Sequence, residues 1–294
     1  MNLRAKRPTP APGNCSEYPP RERSADVIVL GGGPAGTATA IALAGFGWSV
    51  IVLERSHYES TRIGETLPPE VKRPLTALGL WERFLADDPV GSPGIASAWG
   101  QPELYDNDFI VNPRGPGWHV DRRCFDSMLA CAAEARGVEV LRGARGISVS
   151  QAARFRDVVG TPAGGLSATW RVGAVVAAQQ LERRAALLVD ATGRSASPAR
   201  HLAGHRIVCD RLVGLVGFVS GGGHTRDRRT LIEAVECGWW YSAPLPDTRQ
   251  VAAFMTDADL LPTGQAARAA FWRDQLERSR HIRARIGDGA LERI

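Results

Sequence analysis

The chain has 294 residues, of which 44% are hydrophobic and 23% are charged, and these are ordinary values for a globular protein with one large core or two modest ones. The net charge of +5 comes from 36 Lys and Arg against 31 Asp and Glu, and the arginines form no long basic run. Five cysteines without a CxxC pair argue against a disulfide framework or a zinc site, so we expect a cytoplasmic protein with reduced thiols, no metal and no nucleic-acid partner.

The amino-terminal segment is rich in Pro and Arg and has no apolar stretch. This composition predicts a disordered extension over residues 1–24 rather than a secretory signal. No run of 18 apolar residues follows anywhere in the sequence. We therefore expect no membrane span and no membrane partner.

The first predicted elements are a buried strand, "DVIVL", a glycine-rich turn and a helix of small residues. Gly31, Gly33 and Gly36 fill the pattern G-x-G-x-x-G, with Pro34 and Ala35 between the last two. The first glycine allows a tight turn, the second lets the backbone approach a pyrophosphate, and the third lets helix and strand pack closely. The helix N-terminus would present its unpaired N–H groups to the phosphates.

A second predicted strand, "WSVIVLER", ends at Glu54 and Arg55, which we include in the candidate nucleotide site. A carboxylate at the position of Glu54 can accept both hydroxyls of an adenosine ribose, and it would repel a 2′-phosphate. The order strand, turn, helix, strand and acid predicts a dinucleotide other than NADP. It leaves NAD and FAD open.

The next stretch, "STRIGETLPPEVKRPLTALGLWERF", predicts a turn followed by a helix. Gly64 permits close approach of the backbone to a flat ring, and Pro68 and Pro69 stiffen the exit from the turn. Either Thr66 or Glu70 could cap the helix. Without further information, a capping loop that binds no ligand explains the same residues.

A helix is predicted from the apolar positions Phe125, Met128, Leu129 and Ala132. Arg122 precedes them, in the first turn, where a positive charge is unfavourable for the helix dipole. A ligand role explains this arginine, and so does solvent exposure.

Residues 146–183 predict an antiparallel meander with a turn at Gly164 and Gly165. A buried strand over residues 186–189 then stops at Asp190, and Gly193 lets the backbone pass a cofactor. From Leu212 onward, alternating apolar runs separated by turns predict a second antiparallel sheet.

The most distinctive stretch of that second sheet is "CGWWYSAPLP". Period 2 places Trp239 and Tyr241 on one face and Trp240 on the other, so that the two tryptophans could face core and pocket at once. Plain core packing is the alternative. The six histidines are scattered along the chain, and we expect most of them on the surface.

Together, the G-x-G-x-x-G turn, the segment G-E-T-x-P-P from Gly64 and the "DATG" segment resemble FAD-dependent monooxygenases of the p-hydroxybenzoate-hydroxylase type. Within them, the branch that is most similar contains tryptophan halogenases, geranylgeranyl-reductase-like enzymes and flavoproteins that mature peptidyl tryptophylquinone cofactors. The resemblance covers residues 25–285. It implies an α/β fold in which a Rossmann-like FAD-binding domain of the ββα type, residues 25–91 and 121–204, carries an antiparallel β-sheet substrate domain, residues 92–120 and 205–294.

The resemblance also implies a chemistry: a flavin hydroperoxide that oxidises a small aromatic or peptidyl, tryptophan-containing substrate, with NADH or NADPH as the electron donor. It implies that the segment at Gly64 passes the flavin ring and that Arg122 lies by the phosphates and ribityl chain. It makes Glu65 the candidate catalytic group. The remaining candidates are Trp239, Trp240 and Tyr241 for the substrate, and Gly31, Gly33, Pro34, Ala35, Gly36, Glu54, Arg55, Asp190 and Gly193 for the cofactor.

Two departures from the family pattern leave alternatives open. Halogenases of this branch read W-x-W-x-I-P where this chain reads Trp239-x-Tyr241-x-Ala243-Pro244, and their tunnel lysine has no match, since Lys72 is the only lysine after Lys6. Halogenation is therefore not expected. No late G-D-A segment follows residue 286, which predicts a truncated FAD domain, weakened FAD affinity, and a complementing chain or a flavin reductase as partner. An isoprenoid reductase and a non-catalytic nucleotide-binding remnant are the alternatives.

Overall fold

The computed structural model of the protein describes residues 23–151, 170–202, 204–220 and 227–293. The strands of these residues are β1 Arg23–Leu30, β2 Val50–Glu54, β3 Thr66–Leu67, β4 Val90–Ser92, β5 Gly94–Ala98, β6 Tyr105–Asp108, β7 Gly117–His119, β8 Glu139–Arg142, β9 Arg145–Gln151, β10 Trp170–Val176, β11 Gln179–Asp190, β12 Leu212–Ser220, β13 Thr230–Val235, β14 Gly238–Pro244, β15 Gln250–Asp257 and β16 Ala290–Arg293. The helices are α1 Pro34–Gly45, α2 Lys72–Ala77, α3 Trp81–Ala86, α4 Arg122–Glu134, α5 Ser197–His201, α6 Gln265–Arg278 and α7 His281–Ile286.

The first sheet has the strand order β8-β2-β1-β11-β10-β9. Strand β1 lies parallel to β2 and β11, and β2 lies parallel to β8. The apolar run in β1 is buried on both faces, as expected for a central parallel strand. Val27 and Val29 pack with helices α1 and α4, whereas Ile28 and Leu30 pack with β10 and β11. The predicted Rossmann-like α/β fold is confirmed.

Two details of this first sheet differ from the prediction. Arg23 and Ser24 belong to β1, whereas residues 1–22 of the predicted extension lie outside the described residues. The predicted turn at Gly164 and Gly165 also lies outside them. A separate turn, which the sequence analysis did not identify, joins β10 to β11 at residues 177 and 178, two alanines with φ of 48° and 63°, a conformation that normally calls for Asn or Gly.

The strand before Asp190 is also less buried than predicted. It is the end of the long strand β11, and Leu187 within it is 44% exposed. Only the first part of β11 pairs with β10, up to the pair of Ala185 with Trp170. The apolar composition identified the strand correctly but not its environment.

The second sheet has the strand order β16-β12-β15-β14-β13-β5-β6. Its pairings are antiparallel, as predicted, except that β13 lies parallel to β5, which comes from a distant part of the chain. One face packs on α6 and α7 through Trp240, Phe254, Trp272 and Ile282. The other face carries Trp239 and the alternate residues of the neighbouring strands.

A small third sheet has the strand order β3-β7-β4, and its strand β3 lies in the segment after Gly64 that the sequence predicted as a turn. In it Thr66 is paired with His119 and Leu67 with Trp118. This sheet holds the segment at Gly64 next to the start of α4. The predicted domain boundaries themselves stay a prediction.

Candidate functional site

The glycine-rich turn joins β1 to α1, and its three motif glycines have different surroundings. A Cβ atom on Gly31, where φ is +104°, would lie 2.4 Å from the carbonyl oxygen of Ala191, and one on Gly36 would lie 1.9 Å from that of Gly31. A Cβ on Gly33 would meet nothing within 4 Å. Close packing thus explains the first and third glycines, whereas the second leaves open space at the N-terminus of α1.

The start of α1 is suited to an anion. Gly33 is the N-cap residue and has no side chain to bond the first-turn amides, and Pro34 occupies the first helical position. The N–H groups of this turn, which include that of Ala35, point out of the helix end, where the dipole is positive. The turn therefore has the geometry of a diphosphate cradle.

Glu54 lies at the end of β2 beside this cradle. Its Oε2 accepts the Gly32 amide at 2.7 Å, and its Oε1 accepts the Ser56 hydroxyl at 2.7 Å and an Arg62 nitrogen at 2.8 Å. Burial alone would raise the pKa of Glu54, but these hydrogen bonds bring that pKa below its ordinary value. An ionised carboxylate beside the turn is what ribose binding requires, and that role stays a prediction. Arg55, the next residue, is exposed.

Tyr58 completes this corner and was missed by the sequence analysis. It is buried, has a φ of 67°, and its hydroxyl donates to the carbonyl oxygen of Gly32 at 2.8 Å. A Cβ atom on Gly32 would lie 2.5 Å from that hydroxyl and 2.8 Å from Cβ of Glu54. The fourth glycine of the turn is thus required by Tyr58 and Glu54. No sequence pattern marks a tyrosine in a polar loop for this role.

An ion-pair network, Glu54–Arg62–Asp126–Arg122, runs from the cradle to the start of α4. Arg62 pairs with Glu54 and with Asp126 at 2.8 Å each, and Nε of Arg122 pairs with Asp126 at 2.9 Å. Asp126 is 0% exposed. The sequence analysis identified Glu54 and Arg122 but missed Arg62 and Asp126. The signal for Asp126 was a carboxylate on the apolar face of α4, where a charge requires a partner.

Arg122 and Gly64, two of the predicted cofactor residues, lie together. A nitrogen of Arg122 donates to the carbonyl oxygen of Ile63 at 2.6 Å. Gly64 has a φ of +100°, and a Cβ there would lie 2.7 Å from the same arginine nitrogen. The backbone conformation therefore requires glycine, whereas the guanidinium ends a flexible side chain and can shift. The proximity of this segment to a flavin ring stays a prediction.

A second polar cluster contains Glu65, Tyr241, Thr66 and His119. The Thr66 hydroxyl lies 2.5 Å from that of Tyr241 and 2.9 Å from Nδ1 of His119. Nε2 of His119 lies 2.9 Å from the carbonyl oxygen of Arg228. Burial raises the pKa of Tyr241, and the facing Glu65 raises it further. Burial lowers the pKa of His119 to about 4.

This cluster corrects two expectations. Neither Thr66 nor Glu70 caps a helix, because α2 begins without a side-chain cap and Thr66 lies in β3. His119 is 0% exposed rather than a surface residue. The pairing of Glu65 with Tyr241 joins two predicted site residues that are far apart in the sequence.

The two adjacent tryptophans have different roles. Trp240 is 0% exposed and lies between Phe254 and Trp272, with ring centroids 5.0 and 5.1 Å away. Its prediction as a substrate-binding residue is wrong. Side chains alternate between the two faces of β14, and Trp240 lies on the face that α6 covers. Trp239 is partly exposed, and its ring meets that of Trp99 at 6.1 Å. Trp239 and Tyr241 stay candidates for the substrate wall.

The "DATG" segment contacts the glycine-rich turn through Ala191, as described above. Oδ1 of Asp190 accepts the Thr192 amide at 3.0 Å and the Thr192 hydroxyl at 2.7 Å. Gly193 has a φ of +66°, and a Cβ there would meet nothing within 4 Å. The segment therefore lies beside the cradle and leaves room at Gly193, and its contact with a cofactor stays a prediction.

The profile of the FAD binding domain family matches residues 24–174, which hold the glycine-rich turn, Glu54 and the other residues of the ion-pair network, but not Tyr241. The chain belongs to the FAD binding domain family. Its FAD cofactor, a prediction from the glycine-rich turn and its neighbours, agrees with this membership.

Known relatives of this FAD binding domain chain are enzymes. It is 29% identical over 258 residues to the putative FAD-dependent oxidoreductase LodB of Marinomonas mediterranea, covering 86% of this chain and 66% of LodB. It is also 29% identical over 236 residues to a 1H-pyrrole-2-carbonyl peptidyl-carrier-protein brominase of Pseudoalteromonas luteoviolacea, covering 77% of this chain and 53% of the brominase. The chain thus spans about two thirds of one relative and half of the other.

Among solved structures, the myxobacterial chondrochloren halogenase CndH, an FAD-dependent halogenase, is similar with a TM-score of 0.76 and 26% identity. The match covers 91% of this chain and 61% of CndH. The predicted resemblance to this branch of flavoproteins is confirmed. In the described ranges, no helix is both long enough and apolar enough to cross a membrane.

Proposed function

We propose that the chain binds FAD at the turn Gly31–Gly36 and contributes to the oxidation of an aromatic substrate. The observation that carries this proposal is the open space at Gly33, at the N-terminus of α1 and beside the ionised Glu54. The residues fit a dinucleotide, because two motif glycines are needed for packing and the third is needed only if something lies against it.

The predicted residues divide the cofactor between them. The amides at the start of α1 would hold the diphosphate. Glu54 would accept the ribose hydroxyls, which would either replace Arg62 as its partner or share the carboxylate with it. Arg122 and the backbone at Gly64 would lie along the flavin half. Bound FAD would supply the redox chemistry, with NADH, NADPH or a separate flavin reductase as the source of electrons.

The second sheet supports an aromatic substrate. Trp239 and Tyr241 share the face that is not covered by α6 and α7, and Trp99 extends the aromatic surface across β5. Aromatic side chains favour edge-to-face or offset contacts with another ring. A small aromatic molecule or a peptidyl tryptophan would fit this chemistry.

Halogenation is the second candidate, and the brominase and the halogenase CndH among the relatives favour it. The tunnel lysine of the halogenases has no match in this sequence, and this argues against halogenation. Lys72 lies in α2, and its ammonium group is 5.4 Å from the centroid of the Trp81 ring. We therefore place transfer of oxygen first and transfer of halogen second.

The test compares Gly33→Ala with Gly45→Ala. Neither Cβ would meet a protein atom within 4 Å and neither glycine has a positive φ, but only residue 33 borders the proposed diphosphate. We expect Gly33→Ala to weaken FAD binding by a factor of about ten or more, a loss of about 1.4 kcal/mol. We expect Gly45→Ala to leave the affinity unchanged. Flavin fluorescence titration measures both.

Equal FAD affinities for the two variants would contradict the proposed cradle. No FAD binding by the unmodified chain would favour the nucleotide-binding remnant instead. For the chemistry, the chain is incubated with reduced flavin, oxygen and tryptophan derivatives, with and without bromide. Mass spectrometry then separates oxygen addition, which we expect, from bromination and from no product.

A further inference from the structure

The carboxylate that the proposed function assigns to the ribose already has a full set of donors. Oε2 of Glu54 accepts the Gly32 amide at 2.7 Å. Its Oε1 accepts the Ser56 amide at 3.0 Å, the Ser56 hydroxyl at 2.7 Å and a guanidinium nitrogen of Arg62 at 2.8 Å. A carboxylate has acceptor positions for about four donors. Two ribose hydroxyls therefore cannot bind to Glu54 unless at least one of these donors leaves.

The donors from Gly32 and Ser56 are held in place by the fold. The carbonyl oxygen of Gly32 accepts the Tyr58 hydroxyl at 2.8 Å, which fixes the turn on the side of Glu54. The carbonyl oxygen of Ser56 accepts the Gly143 amide at 3.3 Å, and the Ser56 hydroxyl oxygen accepts the Tyr58 amide at 3.2 Å. These donors cannot leave Glu54 without a rearrangement of the backbone or the loss of a second hydrogen bond to the backbone.

Arg62 is the donor that can leave. The nitrogen that binds Glu54 also contacts the Ser56 hydroxyl, but the other terminal nitrogen donates to Oδ2 of Asp126 at 2.8 Å. The arginine therefore keeps a charged partner when its contact with Glu54 breaks. Its side chain is also the more exposed of the pair, at 22% against 6% for Glu54. The geometry allows Arg62 to release Glu54 without becoming an unpaired charge.

We propose that Arg62 is a lock on the ribose site: it occupies Glu54 in the chain without nucleotide, and the ribose hydroxyls displace it. Asp126 retains the displaced guanidinium. The contact that breaks is a charge-assisted hydrogen bond, which is stronger than a bond between neutral groups. The lock therefore lowers the affinity for every ligand that has to use Glu54. It rests on the proposed function, because that function assigns Glu54 to a ribose.

The lock acts on one part of the ligand only. The diphosphate would bind to the amides at the start of α1, which take no part in the contacts of Arg62. The positive charge of Arg62 attracts a diphosphate as well, and this attraction opposes the effect of the lock on total affinity. The attraction is the same for two ligands that differ only in their ribose hydroxyls. The ratio of the affinities of two such ligands therefore isolates the lock.

Isothermal titration calorimetry with ADP and 2′,3′-dideoxy-ADP measures this ratio. For the unmodified chain we expect similar dissociation constants, because the hydroxyls gain Glu54 only by breaking its contact with Arg62. For Arg62→Ala we expect the preference for ADP over the dideoxy analogue to increase about tenfold, because the hydroxyls then meet a carboxylate with a free acceptor position.

Arg142→Ala is the matched control. The guanidinium of Arg142 lies 5.7 Å from the centroid of the Tyr58 ring, and that of Arg62 lies 5.3 Å from it. The Arg142 side chain is 27% exposed, but it pairs with Glu134 instead of Glu54. This variant removes a positive charge from the same neighbourhood without opening the carboxylate. We expect its ratio of dissociation constants to equal that of the unmodified chain.

Arg62→Met keeps an apolar side chain of similar length but has no donor, and we expect it to behave as Arg62→Ala does. It decides the outcome if Arg62→Ala does not fold. Circular dichroism establishes which variants are folded.

An unchanged ratio in the Arg62 variants would overturn the lock. So would a smaller preference for ADP, because Arg62 would then help to hold the ribose. An equal increase in Arg142→Ala would also overturn it, because the loss of any nearby charge would then explain the effect. If ADP binds to none of these proteins, the proposed nucleotide site fails and the lock fails with it. Binding of ADP with an unchanged ratio contradicts the lock alone.

Discussion

The two polar clusters of the site share the segment 62–66, and their buried carboxyl groups have different surroundings. On the nucleotide side, Glu54 and Asp126 are paired with arginines. In the second polar cluster, no ion pair of the described residues includes Glu65, which faces Tyr241, and the Tyr241 hydroxyl continues to Thr66 and His119. Guanidinium groups compensate the buried carboxylates of the first cluster, whereas the second cluster consists of one carboxyl group, two hydroxyl groups and an imidazole.

The largest expected effect is in the charged cluster. Asp126→Ala removes the shared partner of Arg62 and Arg122, which leaves Arg122 without a carboxylate and Arg62 with Glu54 alone. We expect a loss of about 3–5 kcal/mol in the free energy of unfolding, because breaking a buried pair leaves a charge without a partner. Urea denaturation measures it.

The control for this change is Asp274→Ala in α6. Asp274 pairs with Arg278 at 3.1 Å, but both side chains are more than half exposed, and exposed pairs contribute about 0–1 kcal/mol. Similar losses for the two variants would show that the burial of Asp126 has no special energetic role, and the contrast between the clusters would then fail.

The second effect is a pH dependence that belongs to the second polar cluster, through His119. The pKa of His119 falls from 6.5 to about 4 on folding, so between these values the unfolded chain binds a proton that the folded chain does not. Stability contributed by the neutral imidazole is present above pH about 6.5 and is lost as the pH falls. From about pH 7 to about pH 5 the loss is about 2 kcal/mol.

His119→Gln removes this titration. We expect the unfolding free energy of the variant to decline less over the same pH range, whatever its stability at neutral pH. Thermal or urea unfolding at several pH values provides the comparison with the unmodified protein. Parallel pH profiles for the two proteins would mean that His119 is not held neutral.

The smallest expected effect comes from the N-cap of α4, and it distinguishes the stability of the helix start from the ion pairs of Arg122 and Asp126. Asp121 is the N-cap of α4, and its side chain accepts the Arg123 amide at 2.8 Å. Asp121→Ala should cost about 1 kcal/mol, and Asp121→Asn should cost much less because asparagine caps equally well. Denaturation of both variants checks this. A loss as large as that of Asp126→Ala would assign the main effect to the helix start rather than to the ion pairs.

The parts of the molecule that the sequence predicted are those in which local pattern and local environment agree. The turn at Gly31 and the apolar face of α4 follow from spacing alone, because packing requires glycine or an apolar side chain at each position. The turn at residues 177 and 178 could not be predicted, since two alanines carry no signal for positive φ.

The site was predicted in part for the same reason. Glu54, Glu65 and Tyr241 belong to recognisable segments, but their partners Arg62, His119 and Asp126 come from residues that look ordinary in the sequence. Trp240 was misassigned, because alternation identifies two faces of a strand without saying which one is covered. Helix α6, which covers it, lies about 30 residues later in the chain.

The parallel pairing of β5 with β13 sets the order in which the chain can fold during synthesis. Residues 94–98 leave the ribosome more than 130 residues before their partners 230–235. At typical elongation rates of about 5–20 residues per second, β5 waits on the order of ten seconds for its neighbour. During that interval the first sheet can form around β1 and β2, whereas the strand that begins the second sheet is an unpaired edge that a chaperone can bind.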